Sequence, residues 1–223
     1  MTIPLPTIYA VTRAGIVSLT FSLLGCGSSV PPRLYLLSGG SGAAAIASQE
    51  RGGGRAQQGE IALVSATPGV RLGVAVTIPQ YLDRPEIMVR TNEYELEPME
   101  NARWAEGLTI TASRAIADDL SMLLPRDDVV SLPTRTERAF DYRINVEFTK
   151  FDIGTDGRAE VAGRWVIVEV SADKERASAR FRYAGDAGAL DGKLAAAAMS
   201  DMLSKVSLEI QAALQQPSFA NRR

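Results

Sequence analysis

From Phe140 to Thr149 apolar and polar positions alternate without interruption: Phe140, Tyr142, Ile144, Val146 and Phe148 against Asp141, Arg143, Asn145, Glu147 and Thr149. That period of two predicts a strand with one buried and one wet face. Thr155-Asp156-Gly157 then supplies a hairpin turn, residues 161–170 return as its partner, and Ala179, Phe181 and Tyr183 mark a third strand. Over 103–124 the period changes, with Trp104, Leu108, Ala112, Ile116, Leu120 and Leu123 recurring at steps of three and four. This predicts an amphipathic helix that Pro125 ends. A second helix is predicted over 190–214, with Leu194, Ala198, Met202, Val206, Ile210 and Leu214 along one side.

The first half of the chain is more broken. Arg-Leu-Tyr-Leu-Leu-Ser at 33–38 reads as a short, mostly buried strand. Residues 70–78 are rich in β-branched side chains, with Val70, Leu72, Val74 and Val76 on one face, and predict a central strand ending at Pro79. Tyr81-Leu82-Asp83-Arg84-Pro85 is a turn, because Pro85 disfavours helix at Arg84, and two short extended pieces follow at 86–90 and 93–97. Between the first two strands, 39–60 forms a flexible loop with glycine at 39, 40, 42, 52, 53, 54 and 59. The order of strands and helices gives a single α/β domain over 33–216, with two long helices on a mixed, mostly antiparallel sheet.

The N-terminus changes the picture from fold to address. One basic residue, Arg13, precedes an uncharged stretch from Ala14 to Leu24, and Leu23-Leu24-Gly25-Cys26 follows the pattern of a lipoprotein processing site. Residues 1–25 are expected to be a cleaved signal peptide, and Cys26, the sole cysteine, to carry covalent lipid as the mature N-terminus. The apolar run is too short to span a bilayer, which takes about 20 residues. No aspartate follows Cys26 at the second mature position to retain the protein in the inner membrane, so the outer membrane's periplasmic face is the expected location. Residues 26–32 form a short tether whose six residues after Cys26 reach roughly 20 Å at most. Residues 217–223 are a tail.

Composition narrows the chemistry. Without Arg13, 23 basic residues stand against 26 acidic ones, a net charge of −3, with both signs mixed throughout. No basic stripe for nucleic acid results. There is no histidine, which removes Ser-His-Asp and Cys-His catalysis and histidine zinc sites. Two adjacent carboxylate pairs, Asp118 with Asp119 and Asp127 with Asp128, are expected on solvated faces or at helix ends, since sequence neighbours point apart. The glycines at 39, 40 and 42 lack the spacing of a phosphate-binding loop, and Gly192-Lys193 lacks the rest of one. No cofactor beyond the lipid on Cys26, no metal and no enzymatic activity are expected.

Three blocks together carry a resemblance: Tyr-Leu-Leu at 35–37, Val-Thr-Ile-Pro-Gln-Tyr-Leu-Asp-Arg-Pro-Glu-Ile at 76–87, and Asn-Ala-Arg-Trp-Ala-Glu-Gly-Leu at 101–108. With the lipidation cysteine they resemble the PqiC-type auxiliary lipoproteins of ABC transport systems, over almost the whole mature chain. The long glycine-rich segment departs from the spacing of that family. The resemblance implies a three-layer α/β domain like the N-terminal domain of TolB. It also implies an outer-membrane subunit of an Mce-type lipid transport system, with a PqiB-like Mce-domain protein and an inner-membrane permease as partners and a role in envelope integrity. Ring-like self-association would suit the cap of a symmetric tube. The candidate partner interface is Tyr81, Leu82, Arg84, Pro85, Arg103 and Trp104, because aromatic and arginine side chains dominate interface cores. The competing structural role has Trp104 packing the helix start and Arg84 or Arg103 pairing with Asp83 or Glu106. A lipid carrier with an apolar pocket is the alternative function, and a hydrolase the third.

Overall fold

The computed structural model of the chain describes residues 31–40, 69–134, 139–216 and 219. The signal peptide, Cys26, most of the tether and of the 39–60 loop, and the tail apart from Phe219 lie outside the described residues. In chain order the elements are β1 (Arg33–Tyr35), β2 (Arg71–Thr77), β3 (Glu86–Asn92), β4 (Glu95–Trp104), α1 (Leu108–Leu123), β5 (Asp128–Ser131), β6 (Tyr142–Gly154), β7 (Arg158–Glu169), β8 (Lys174–Asp186) and α2 (Gly192–Leu214).

One mixed sheet is organised around β6. Along one side β6 pairs antiparallel with β7, which pairs antiparallel with β8. Along the other side it is shared: Tyr142–Glu147 pairs in parallel with β2, and Ile153–Gly154 pairs in parallel with β3. β5 lies beyond β2, while β4 and then β1 lie beyond β3. The expected central strand is therefore β2, flanked on both sides, with Val70, Leu72, Val74 and Val76 buried as the pattern predicts.

β6 outruns its expected end because its alternation changes phase. The ladder to β7 shifts between Phe148 and Lys150, so Thr149 is an extra residue and the inward positions move from even to odd numbers. Phe148 and Phe151 thus both face the core, in edge-to-face contact at 5.3 Å. Asn101 produces a second irregularity in β4, at φ 54, a left-handed conformation that asparagine tolerates better than most residues.

Both helices lie side by side on one face of the sheet. Val74, Ile144 and Ile167 are directly opposite one another in register, so they share a face. Ser113 of α1 donates to the Val74 carbonyl at 2.9 Å, and Trp165, on the same face as Ile167, donates to Glu209 of α2 at 3.2 Å. The opposite face carries exposed Arg143, Glu147, Arg164 and Arg180. The α/β class, mixed sheet and paired helices follow the pattern, and the layers number two because both helices share a face.

Four local expectations need correction. The strand expected to be mostly buried over 33–38 spans only Arg33–Tyr35, and Leu34 and Leu36 are exposed because β1 lies at the end of the sheet with β4 as its partner. α1 begins at Leu108, not 103, because Ala102, Arg103 and Trp104 pair with β1 and Gly107 is the N-cap. Along α2 the expected stripe is buried at Met202, Val206, Ile210 and Leu214, but at its start Leu194 is exposed and Ala198 half-buried, and Ala195 and Met199 face the core instead. A row of strict four-residue steps gains about 40° per step on a helix of 3.6 residues per turn, so the row cannot stay on the buried side for the full length and leaves it at the N-terminal end. Asp119 is fully buried rather than solvated. It accepts from the Gly40 amide at 2.5 Å and the Ser207 hydroxyl at 3.2 Å, joining the segment after β1 to both helices. Gly39 is needed there for close approach, since a Cβ would stand 2.5 Å from the Ala115 carbonyl oxygen.

Candidate functional site

The 79–85 turn is closed by its own backbone. Leu82 and Asp83 amides donate to the Pro79 carbonyl at 2.8 and 3.0 Å, and the Arg84 amide donates to Leu82 at 2.9 Å. Leu82 drops into the core at 1% exposure and acts as the anchor of the turn. Tyr81 stays half exposed, its hydroxyl 3.4 Å from the Thr149 carbonyl at the β6 bulge. Arg84 and Pro85 are exposed, and Arg84 forms no ion pair among the described residues.

Asp83 ties this turn to α1. Its carboxylate accepts from the Thr109 amide at 3.2 Å and the Thr109 hydroxyl at 3.0 Å. The helix has no side-chain cap of its own, so Asp83 supplies one from a distant turn, satisfying an end amide and placing negative charge at the positive end of the helix. Sequence reasoning left Asp83 as a mere ion-pair option because such a cap has no local spacing signal.

The second sequence block meets the first through the sheet. The Trp104 amide donates to the Pro85 carbonyl at 2.7 Å, and the Ala105 amide donates to the Tyr35 carbonyl at 2.8 Å. The ends of β1 and β4, the start of β3 and the Tyr81 turn therefore lie together at one end of the sheet. Trp104 is buried at 5% and packs edge-to-face on Phe151 at 6.5 Å. Arg103 reaches Glu86 at 3.4 Å and is half exposed, and it stands in register with exposed Leu34 of β1. Glu106 instead pairs with Arg114 at 2.9 Å. Of the six candidate residues, Leu82 and Trp104 hold the fold, while Tyr81, Arg84, Pro85 and Arg103 face solvent.

The remaining carboxylates are committed to structure. Asp152, with 3% of its side chain exposed, binds Arg90 at 2.6 Å and raises the guanidinium pKa. Burial raises the Glu160 carboxyl, but Lys150 at 2.5 Å and Arg182 outweigh it and hold the group below its usual range. Burial is also the main cause that raises the Asp119 carboxyl, and burial together with Glu209 raises the Tyr183 phenol. Among the described residues no group of three His, Cys, Asp or Glu converges as a metal site. An open, mainly apolar cleft of about 290 Å3 lies between the β1 segment and α2, with Tyr35, Leu36, Ala196 and Ala197 in its lining and both Lys193 and Asp201 among its polar groups.

The model of a family described as the ABC-type transport auxiliary lipoprotein component matches residues 56–211. The chain belongs to this family. Its matched span includes β2 to β8 and nearly all of α2, with the turn and the Arg103 block inside it. A crystal structure of an uncharacterised protein is similar at 19% identity and TM-score 0.57, over 66% of this chain and 92% of that one. A crystal structure of a Xanthomonas campestris protein is similar at 20% identity and TM-score 0.56, over 65% of this chain and 82% of that one. Both likenesses concern the fold. No curated protein matches the chain in sequence. Membership makes the chain an auxiliary lipoprotein of an ABC-type transport system. No described helix is long and apolar enough to cross a membrane, so the described part has no helical span of its own.

Proposed function

We propose that this auxiliary lipoprotein is held by lipid on Cys26 at the periplasmic face of the outer membrane. There it docks the distal end of an Mce-domain, PqiB-like conduit whose permease sits in the inner membrane, and so supports envelope integrity. It performs no catalytic step; its contribution is a rigid surface at a fixed height above the bilayer. The observation that carries this reading is the Tyr81 turn. An exposed tyrosine and arginine are presented on a loop pinned to the core by Leu82, to α1 by Asp83 and to β4 by Pro85. Such a rigid display loses little entropy on binding, and Tyr and Arg are the residue types that concentrate binding energy.

A direct lipid carrier is the second reading, favoured by the apolar cleft beside β1. At about 290 Å3 and open to solvent, it is at the small end for enclosing a ligand, which favours docking. Affinity purification of the lipidated protein from membranes, with mass spectrometry and a native mass, separates the two. Recovery of the Mce-domain protein and its permease is the expected result. Recovery of protein with bound phospholipid and no partner would replace docking with carriage.

A further inference from the structure

β1 is a terminal strand of the sheet, three residues long, with β4 as its partner. Around it Leu34 is 65% and Leu36 55% exposed. An uncovered apolar edge is a liability that folded chains normally avoid by charge, bulges or cover. Arg33 precedes the leucines and is exposed, Lys193 lies across the cleft from Leu36, and Leu194 beside it is 42% exposed. Asp201 lines the same cleft as Lys193, so the rim carries both signs; the apolar side chains with Arg33 and Lys193 beside them suit the headgroup boundary of an anionic bilayer.

The chain preceding β1 says what covers this edge. Only six residues, Gly27 to Pro32, separate Cys26 from Arg33, a reach of roughly 20 Å when fully extended. A lipid on Cys26 therefore keeps β1 within roughly 20 Å of the membrane surface. We infer that the β1 edge, through Leu34 and Leu36 with Arg33 and Lys193 as flanking cations, rests in the bilayer's headgroup region. The contact fixes the orientation of the domain. The Tyr81 turn precedes β3, two strands in from that edge and roughly 10 Å away at normal strand spacing, so the contact leaves it close to the membrane. The inference rests on the lipid anchor proposed above.

The test uses the full lipidated chain with a single new cysteine at Leu34→Cys, Leu36→Cys or, as control, Tyr94→Cys on the exposed β3–β4 turn. Each carries an environment-sensitive NBD fluorophore in phosphatidylethanolamine–phosphatidylglycerol vesicles, with or without brominated acyl chains. Lipidated Cys26 is blocked, so the chain without a new cysteine takes up no label. The expected result is blue-shifted emission at positions 34 and 36 that brominated lipid largely quenches, with position 94 unchanged. Emission at 34 and 36 as polar and unquenched as at 94 overturns the contact. Emission that is shifted but untouched by brominated lipid also overturns it, and assigns the edge to a second copy. Labelling of the chain with no added cysteine would instead withdraw the anchor itself, and the inference with it.

Discussion

β8 finishes one side of the sheet with 13 residues, Lys174–Asp186, whose side chains include Lys174, Arg176, Arg180 and Arg182. β1 finishes another with three residues and exposed leucines. A long edge is a template for unwanted pairing, and cations along it oppose that. The short edge carries one exposed cation, Arg33, beside its exposed leucines, and the chain fastens it from within. The Tyr35 ring packs on Gly192, the Ser38 amide donates to Ser200 at 3.1 Å, and Gly40 is held by buried Asp119. β8 is thus built to stay unpaired in water, whereas β1 is built to be held firmly in place with its apolar side chains outward.

Substitutions at the two edges and at the turn test this difference. The largest effect is expected from Gly192→Val, because a Cβ there would sit 2.5 and 2.8 Å from Tyr35 ring atoms and 3.0 Å from Ala102. Overpacking of this kind costs about 1–3 kcal/mol, and thermal unfolding should show a markedly lower midpoint. An unchanged midpoint would mean that β1 is not wedged against α2.

Next in size is Asp119→Ala, which leaves the part-buried Gly40 amide without its acceptor and Ser207 with only the Leu203 carbonyl, at about 1–3 kcal/mol in urea unfolding. Asp119→Asn keeps an acceptor and separates charge from hydrogen bonding. Burial raises the Asp119 carboxyl above its ordinary 3.8, so the folded chain disfavours the ionised form. Below 3.8 both states are protonated and the group costs nothing. As pH rises from there to the raised folded value the unfolded chain ionises first, and stability falls. Wild type should lose stability over that window and Asp119→Asn should lose less; equal slopes would contradict a buried, ionisable Asp119.

Removing charge from the long edge, as Arg180→Val with Arg182→Val, should alter monomer stability by no more than about 1 kcal/mol, since the ion pair of Arg182 with Glu160 is largely exposed on the arginine side. Its consequence should appear as concentration-dependent association in light scattering. A double variant that stays monomeric would show that the cations of β8 do not protect it. The smallest effect on folding is expected at the turn, where Tyr81→Ala with Arg84→Ala should leave the unfolding midpoint within about 0.5 kcal/mol.

The regions differ also in how openly the sequence announces them. β6, β7 and β8 follow from alternation and a turn signal, and the Tyr81 turn follows from Pro79 and Pro85. The bulge at Thr149 interrupts the alternation, so the last five residues of β6 look like the start of a loop although Phe151 and Ile153 are core. Arg103 and Trp104 fit the helical period of α1 by coincidence, and only pairing with β1, some 70 residues earlier, holds them extended. Asp119 carries the signature of a surface residue, because its partners Gly40 and Ser207 are brought to it by the tertiary fold. At the candidate site the exposed residues were legible by type. The division into anchors, Leu82 and Trp104, and displayed groups, Tyr81, Arg84, Pro85 and Arg103, needed the burial of each.

The central claim is that the rigid turn is the docking surface, and the direct measurement is affinity purification of lipidated wild type and the Tyr81→Ala, Arg84→Ala double variant from the same membranes, with the Mce-domain protein and permease quantified. The account predicts that the partners are lost from the double variant while its unfolding midpoint and membrane attachment stay those of wild type. Full recovery of both partners on a folded, membrane-attached double variant would contradict it.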